Sequence, residues 1–285
     1  MSLNVLIGCL SFRNFTGSEM YVYELARNLI KLDCEVTVAS PFVGGKLTEL
    51  AIGKGIQVSN INQLTAQSFD VLHLQHKPVT EFLVAKYPLI KKVCSIHSEI
   101  ISLEEPVVHE SIKHYIAVRP AIKTLLIQRH RIPPEKISVI YNPIDEERFQ
   151  SSHLKPANSL LFVGTIDYLR RDTIFDLIKY TESKKMDFWL IGEDNGDYLA
   201  SILRFQHVKY SKSIPNVEAY VQRCTETAGI LLGRTTIEGW MCGKSGWIYD
   251  VDEKGKILNK TFASPPEDMR QFHSSVVSKK ILDLY

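Results

Sequence analysis

Short apolar runs recur along the chain, and the segments between them carry apolar residues at helical spacing. Residues 5–10 read as a first strand. Tyr21, Leu25, Leu29 and Leu32 then fall on one helical face, and residues 35–39 form a second strand. Residues 69–73, 92–96 and 114–118 repeat the strand pattern, with helical stretches at 80–85 and 121–128. A polar stretch with Ser151, Ser152, Pro156 and Asn158 follows, after which the pattern restarts. Strands are predicted at 160–163, 188–191, 208–210, 229–232 and 247–249, and helices at 172–183, 217–223 and 236–242. The tail from Glu267 places Met269, Phe272, Val276, Val277, Ile281 and Leu284 as an amphipathic set. Alternating strands and helices imply parallel sheets with crossover helices. Two restarts imply two α/β domains, 1–150 and 151–266, with a helical tail at 267–285.

Composition adds limits. With 285 residues the chain is comfortable for two cores, and its 45% apolar and 23% charged fractions are those of a globular enzyme. No run approaches a membrane span, and the first residues enter a core strand without the basic region and cleavage site of a signal peptide. The expected location is the cytoplasm. The formal charge of +2 gives no field for nucleic acid. Basic residues do bunch at Lys91–Lys92 and at Arg119, Lys123, Arg129, His130 and Arg131. They read either as a solvated helix face or as a patch for phosphate or an anionic membrane, which would seat the protein peripherally on the inner membrane face. Five cysteines without C-x-x-C spacing are expected to be reduced and buried.

In open parallel sheets ligands bind outside the carboxyl ends of strands, so the loops there are the places to look. Gly17, beside Ser18 at a helix start, is either a turn glycine with its cap or a close-approach point for an anion or sugar. No G-x-G-x-x-G follows the first strand, which disfavours a dinucleotide cofactor. His97 follows a strand end and can meet a hydroxyl or phosphate or cap the strand. His73 and His76 read as packing. No residue spacing suggests a metal site. Gly164 ends the first strand of the second half, and Arg170 and Arg171 stand at the next helix start, where their charge opposes the dipole. A bound diphosphate or simple exposure would account for them. The segment 231–244 runs strand, glycine turn, helix and glycine stop. Thr235 and Thr236 sit at the helix N-terminus, and Glu238 either reaches a ribose diol or completes a capping box. Gly243-Lys244-Ser245 is no P-loop, because position 238 is Glu and a strand follows.

These segments together resemble retaining glycosyltransferase family 4, of the GT-B fold. The resemblance is carried by Thr16-Gly17-Ser18-Glu19 with its helix, the 136–149 segment around Asn142 and Asp145, Leu161-Phe-Val-Gly164 with Arg170, and Ile237-Glu238 through Gly243-Lys244. It implies two Rossmann-like domains facing across a cleft: an acceptor-side domain at 1–150 and a nucleotide-sugar domain at 151–266. The helix at 267–285 would cross back to the N-terminal domain. The catalytic set implied is His97, Arg170 and Glu238. The donor-binding set is Gly17, Gly164, Thr165, Arg171, Gly192, Ser213, Arg234, Thr235, Thr236 and Glu238. Arg170 would neutralise the donor diphosphate, and Glu238 would take the ribose hydroxyls. Gly192 and Ser213 would flank the base.

The family has a second glutamate eight residues before the ribose one, where this chain has Ile230, and an arginine after the glycine, where it has Thr165. The implied activity is transfer of a sugar from a nucleoside-diphosphate sugar with retention, without metal or cofactor. The acceptor would be a glycan, a lipid-linked glycan or a metabolite. A catalytically silent GT-B binder supporting a partner is the alternative that Ile230 favours. An epimerase would need an acid/base carboxylate pair that the sequence does not offer.

Overall fold

The computed structural model describes residues 2–64 and 68–285. The chain divides into two compact units: Met1–Asn14, Ser18–Pro143 and Gln271–Tyr285 form the first, and Phe15–Gly17 with Ile144–Arg270 the second.

In chain order the first unit holds β1 (Asn4–Gly8), β2 (Ser11–Phe12), α1 (Gly17–Lys31), β3 (Glu35–Ser40), β4 (Phe42–Val43) and α2 (Gly45–Gly53). There follow β5 (Gln57–Asn60), β6 (Val71–Leu74), α3 (Lys77–Lys86), β7 (Lys91–Ile96), β8 (Ile112–Ala117), α4 (Pro120–Gln128) and β9 (Ile137–Val139). Seven strands form a parallel sheet in the order β5-β3-β1-β6-β7-β8-β9. Val5, Leu6 and Ile7 of β1 are all fully buried, as a central parallel strand covered on both faces requires. Helix α1 forms where the apolar period is 3.6: Tyr21, Leu25 and Leu29 lie wholly inside. Glu19 in its first turn and Lys31 in its last complement the dipole.

The second unit holds β10 (Ser159–Val163), α5 (Tyr168–Lys184), β11 (Asp187–Ile191), α6 (Leu199–Ile202), β12 (Val208–Ser211) and α7 (Glu218–Arg223). Next come β13 (Glu226–Ile230), α8 (Arg234–Met241), β14 (Ser245–Val251) and β15 (Ile257–Ala263). The sheet order is β12-β11-β10-β13-β14-β15, parallel except for β15. Helix α5 begins four residues before the expected start at 172, because Asp167 caps it by accepting the Arg170 N–H at 3.1 Å. Strand β13 ends at Ile230 rather than 232, since Leu231 takes a left-handed φ of 55° and turns the chain toward α8. Helix α8 lies close on β13: a Cβ at Gly239 would stand 2.5 Å from Thr227 Oγ1. Residues after Lys244 form β14, which rules out the P-loop geometry.

The tail returns to the first unit as a 3-10 turn (Met269–Phe272) and α9 (Ser274–Leu282). There Phe272 meets Tyr141 at 4.9 Å between ring centroids. All five cysteines are free and buried, as expected. Among the described residues no helix is long and apolar enough to cross a membrane.

Candidate functional site

In the second unit the chain passes from β10 to β11 on one side and later to β13 on the other. The crevice outside the carboxyl ends of β10 and β13 is therefore the switch point, where an open α/β sheet binds its ligand. The loop after β10 carries Gly164 and Thr165, and the turn after β13 leads into α8. Thr235 ties the two together, its hydroxyl donating to the Val163 carbonyl at 3.0 Å. A Cβ built on Gly164 would lie 3.4 Å from Arg170 Nε, so the guanidinium stem runs directly over this glycine. Gly192, after β11, completes the floor. A Cβ there would fall 1.9 Å from Gly164 O and 3.5 Å from Thr165 N, so only glycine lets the two backbones touch.

The electrostatics of this crevice come from a helix end and two arginines. At the start of α8 the N–H groups of Thr235 and Thr236 have no carbonyl of their own helix to bond, the first helical bond being Ile237 N–H to Gly233 O. The Thr236 hydroxyl is buried toward Gly229, so what these threonines can offer an anion is main-chain N–H. Glu238 is buried and accepts from Arg234 Nε at 2.9 Å, with the two side chains 6% and 8% exposed. Its carboxylate turns to Arg234 and the N-cap is Gly233, so the capping-box reading of Glu238 is set aside. Arg170 donates through Nη1 to the Asp167 carboxylate. That carboxylate supplies the reason, beyond exposure or a ligand, for tolerating arginine in the first turn of a helix. Arg171 is exposed, bonded to Asp172 at 2.9 Å and leaning over the Tyr198 ring. Ser213 is held through its N–H by Glu193 at 3.3 Å.

In the first unit the switch point lies between β1 and β6. The loop after β1 is pinned by buried Glu19, which accepts from Ser11 Oγ at 2.6 Å and Arg13 N–H at 2.9 Å. Nothing lies within 4 Å of where a Cβ on Gly17 would stand, so packing does not demand glycine there. His97, at the end of β7, bonds Gln75 Oε1 through Nε2 at 2.7 Å, and its backbone N–H donates to Glu104 Oε2 at 3.1 Å. Burial holds its imidazole down at about 4, against the opposing pull of Glu104. His73 is wholly inside and burial carries it down to about 3, while His76 lies against Glu104 Oε1 at 3.3 Å. Both are buried, as expected, but on polar partners rather than apolar packing alone: His73 Nε2 lies 2.9 Å from Ser95 Oγ, and His76 Nδ1 accepts from the Leu10 N–H at 3.1 Å. Of the basic segment, Arg119 is buried on Glu99, Lys123 donates to the Ile137 carbonyl, and Arg129 lies 3.8 Å from Glu105.

The structure thus groups Gly164, Thr165, Arg170, Gly192, Thr235, Arg234 and Glu238 around one crevice of the second unit, with Arg171 turned to its own surface partners. Gln75, Glu104 and Asp167 were not singled out from the sequence. Asp167 had a legible signal, an N-cap residue type three positions before Arg170. Gln75 had none. Among the described residues no group of three or more His, Cys, Asp or Glu could hold a metal ion.

Comparison with known proteins agrees with this architecture. Residues 15–148, a little under half of the chain, match the family model described as Glycosyltransferase Family 4. The fold is that of Anabaena Alr3699/HepE solved with UDP and glucose: TM-score 0.75, 15% identity, 99% of each chain covered. It is also that of a glycosyltransferase from Rickettsia africae ESF-5, with TM-score 0.69, 14% identity, and 100% of this chain and 98% of that one covered. AviGT4, a glycosyltransferase involved in avilamycin A biosynthesis, gives 0.66 at 12% identity over 99% and 96%. No curated protein matches the chain in sequence. The family match and the structural likeness agree on the fold, GT-B with two Rossmann-like units.

Proposed function

We propose that the chain transfers a sugar, with retention of configuration, from a nucleoside-diphosphate sugar bound in the second unit to a glycan, lipid-linked or small-molecule acceptor. The observation that carries the reading is the convergence of Arg170 over Gly164 with the N-terminus of α8 at the switch point. The departing nucleoside diphosphate gains negative charge as the sugar bond breaks. Arg170, the amides at Thr235 and Thr236, and Arg234 stabilise that charge where it grows. Glu238, held by Arg234, takes the ribose hydroxyls, and Gly192 and Ser213 border the base. His97 is the substrate-contacting residue of the first unit in this reading. No carboxylate is assigned as nucleophile, so the sugar is attacked on the face its leaving group departs from, without metal. Solved relatives hold UDP and UDP-glucose, which makes uridine diphosphate sugars the first donors to try.

A second reading, a silent GT-B binder supporting a partner enzyme, is favoured by the apolar Ile230 at the end of β13. One experiment separates the two. A panel of UDP, GDP, ADP and TDP sugars is followed for diphosphate release and product anomers, with Arg170→Ala alongside. Transfer with a retained anomer, weakened by about 2–4 kcal/mol in Arg170→Ala, supports the proposal. Thermal shifts without turnover support the silent reading, and equal turnover in both chains removes Arg170 from the role. The basic segment leaves a cytoplasmic enzyme seated peripherally on the membrane as part of the proposal. Absence of binding to anionic vesicles at low salt would remove that part.

A further inference from the structure

The partners of His97 determine which of its nitrogens carries the proton. Gln75 follows β6 and is fully buried. Its Nε2 donates to the Ser18 carbonyl at 3.3 Å. A carbonyl can only accept, so the amide is fixed with Oε1 turned to the His97 ring, 2.7 Å from Nε2. An amide oxygen can only accept as well. The ring proton therefore sits on Nε2, and the lone pair on Nδ1.

The ring plane is held as firmly as its protons. Tyr21 presses against His97 edge to face, with centroids 4.6 Å apart. Tyr21 is anchored by its hydroxyl to Ser95 Oγ at 2.8 Å, and Ser95 lies 2.9 Å from His73 Nε2. His73 Nδ1 in turn meets the Tyr285 hydroxyl at 2.7 Å. Glu104, the carboxylate nearest the ring, spends Oε2 on the His97 backbone N–H and Oε1 on His76. The other charged or titratable groups facing the ring are His76, His73 and Arg119, and Arg119 is bonded to Glu99.

We propose that Gln75 is a positioning residue for His97: it fixes the imidazole as the Nε2–H tautomer, so that His97 meets substrate through Nδ1 as a hydrogen-bond acceptor. A hydroxyl or amide N–H of the substrate can then donate to Nδ1. An ether or carboxylate oxygen at that point is rejected, because two acceptors would face each other. The proposal rests on the reading of His97 as a substrate-contacting residue and adds its polarity.

The test is the imidazole nitrogen spectrum of the uniformly 15N-labelled full chain at pH 7.5, with His97 assigned by its loss in His97→Asn. The expected pattern has Nε2 protonated and Nδ1 bare. Gln75→Leu, close in volume, should bring the two nitrogens toward averaging and lower kcat about three- to tenfold, the worth of one hydrogen bond, with KM for the donor little changed. Gln75→Glu keeps an oxygen to accept from Nε2–H but loses the N–H that meets the Ser18 carbonyl; it should retain the Nε2–H pattern and, its charge favouring the protonated ring, move the pH profile of kcat upward. A wild-type proton on Nδ1, an unchanged pattern in Gln75→Leu, or unchanged kcat in that variant would overturn the proposal. Unfolding of Gln75→Leu, seen by circular dichroism, transfers the decision to wild type and Gln75→Glu. The spectrum needs no donor, so it judges Gln75 separately from the transferase reading. An ordered His97 spectrum in a chain that turns over no donor would sink that reading, and with it the substrate half of the proposal.

Discussion

Gly192 is the point at which packing and the proposed donor site make the same demand. In Gly192→Ala the new methyl would stand 1.9 Å from Gly164 O and 2.7 Å from Gly164 C, both backbone atoms. Real Cβ contacts essentially never fall under 3.0 Å, so the two loops must part by about 1.1 Å. They are held together by Gly164 N–H to Ile191 O at 2.9 Å and Ile166 N–H to Glu193 O at 2.8 Å, while on its other side Gly192 is tied to β12 by its N–H to Ser211 O at 3.0 Å and by the Tyr210 hydroxyl to its carbonyl at 3.0 Å. Overpacking of this kind costs about 1–3 kcal/mol, which lowers Tm by about 2–5 °C for a chain of this size. Differential scanning calorimetry reads the shift. Gly53→Ala is the control, since nothing lies within 4 Å of its Cβ position at the end of α2; its Tm should hold or rise, alanine being the better helix former. A Gly192→Ala protein melting within about 1 °C of wild type would refute the close approach on which the crevice is built.

Two further outcomes follow from buried charge. His73 and His97 are held down to about 3 and about 4 by burial, against 6.5 for the exposed group. The unfolded chain therefore takes up protons first as pH falls, and stability present above pH 6.5 is lost on the way to pH 4, by about 1.4 kcal/mol per pH unit for each histidine. Urea midpoints that stay level from pH 7.5 to pH 5 would contradict this. Arg234→Met leaves the Glu238 carboxylate buried without Arg234 and should destabilise by up to about 3–5 kcal/mol, whereas Arg234→Met with Glu238→Met should recover part of that loss. A double variant as unstable as the sum of the two singles would show that the pair does not act as a unit.

The central strands were legible in the sequence because they are buried on both faces and read as unbroken apolar runs, as at Val5-Leu-Ile7 and Leu160-Leu-Phe162. The two-residue strands β2 and β4, which pair with each other, escaped it. In the two large sheets the strands that escaped it, β5, β9 and β15, lie at the ends, although the end strand β12 was read. There one flank meets solvent, and sequences such as Gln57-Val-Ser-Asn60 and Leu258-Asn-Lys-Thr261 lose the apolar signal. The chemistry divides in the same way. Gly164, Arg170 and Glu238 were marked by residue type at strand ends and helix starts. Their partners Asp167 and Arg234 were close in sequence, and Arg234 was already among the candidates. Gln75 reaches His97 across the α3 crossover, and no local pattern encodes that meeting; Glu104 lies seven residues further along the same connection after β7.

In the proposed complex a nucleoside diphosphate lies against the start of α8 beneath Arg170. Calorimetric titration of UDP, with GDP, ADP and TDP in parallel, into the wild-type chain and Arg170→Ala measures this directly. Binding of at least one diphosphate is expected, weakened about 10- to 150-fold in Arg170→Ala by loss of a charge-assisted hydrogen bond. Equal affinity in the two proteins, or no affinity of wild type for any of the four, would contradict it.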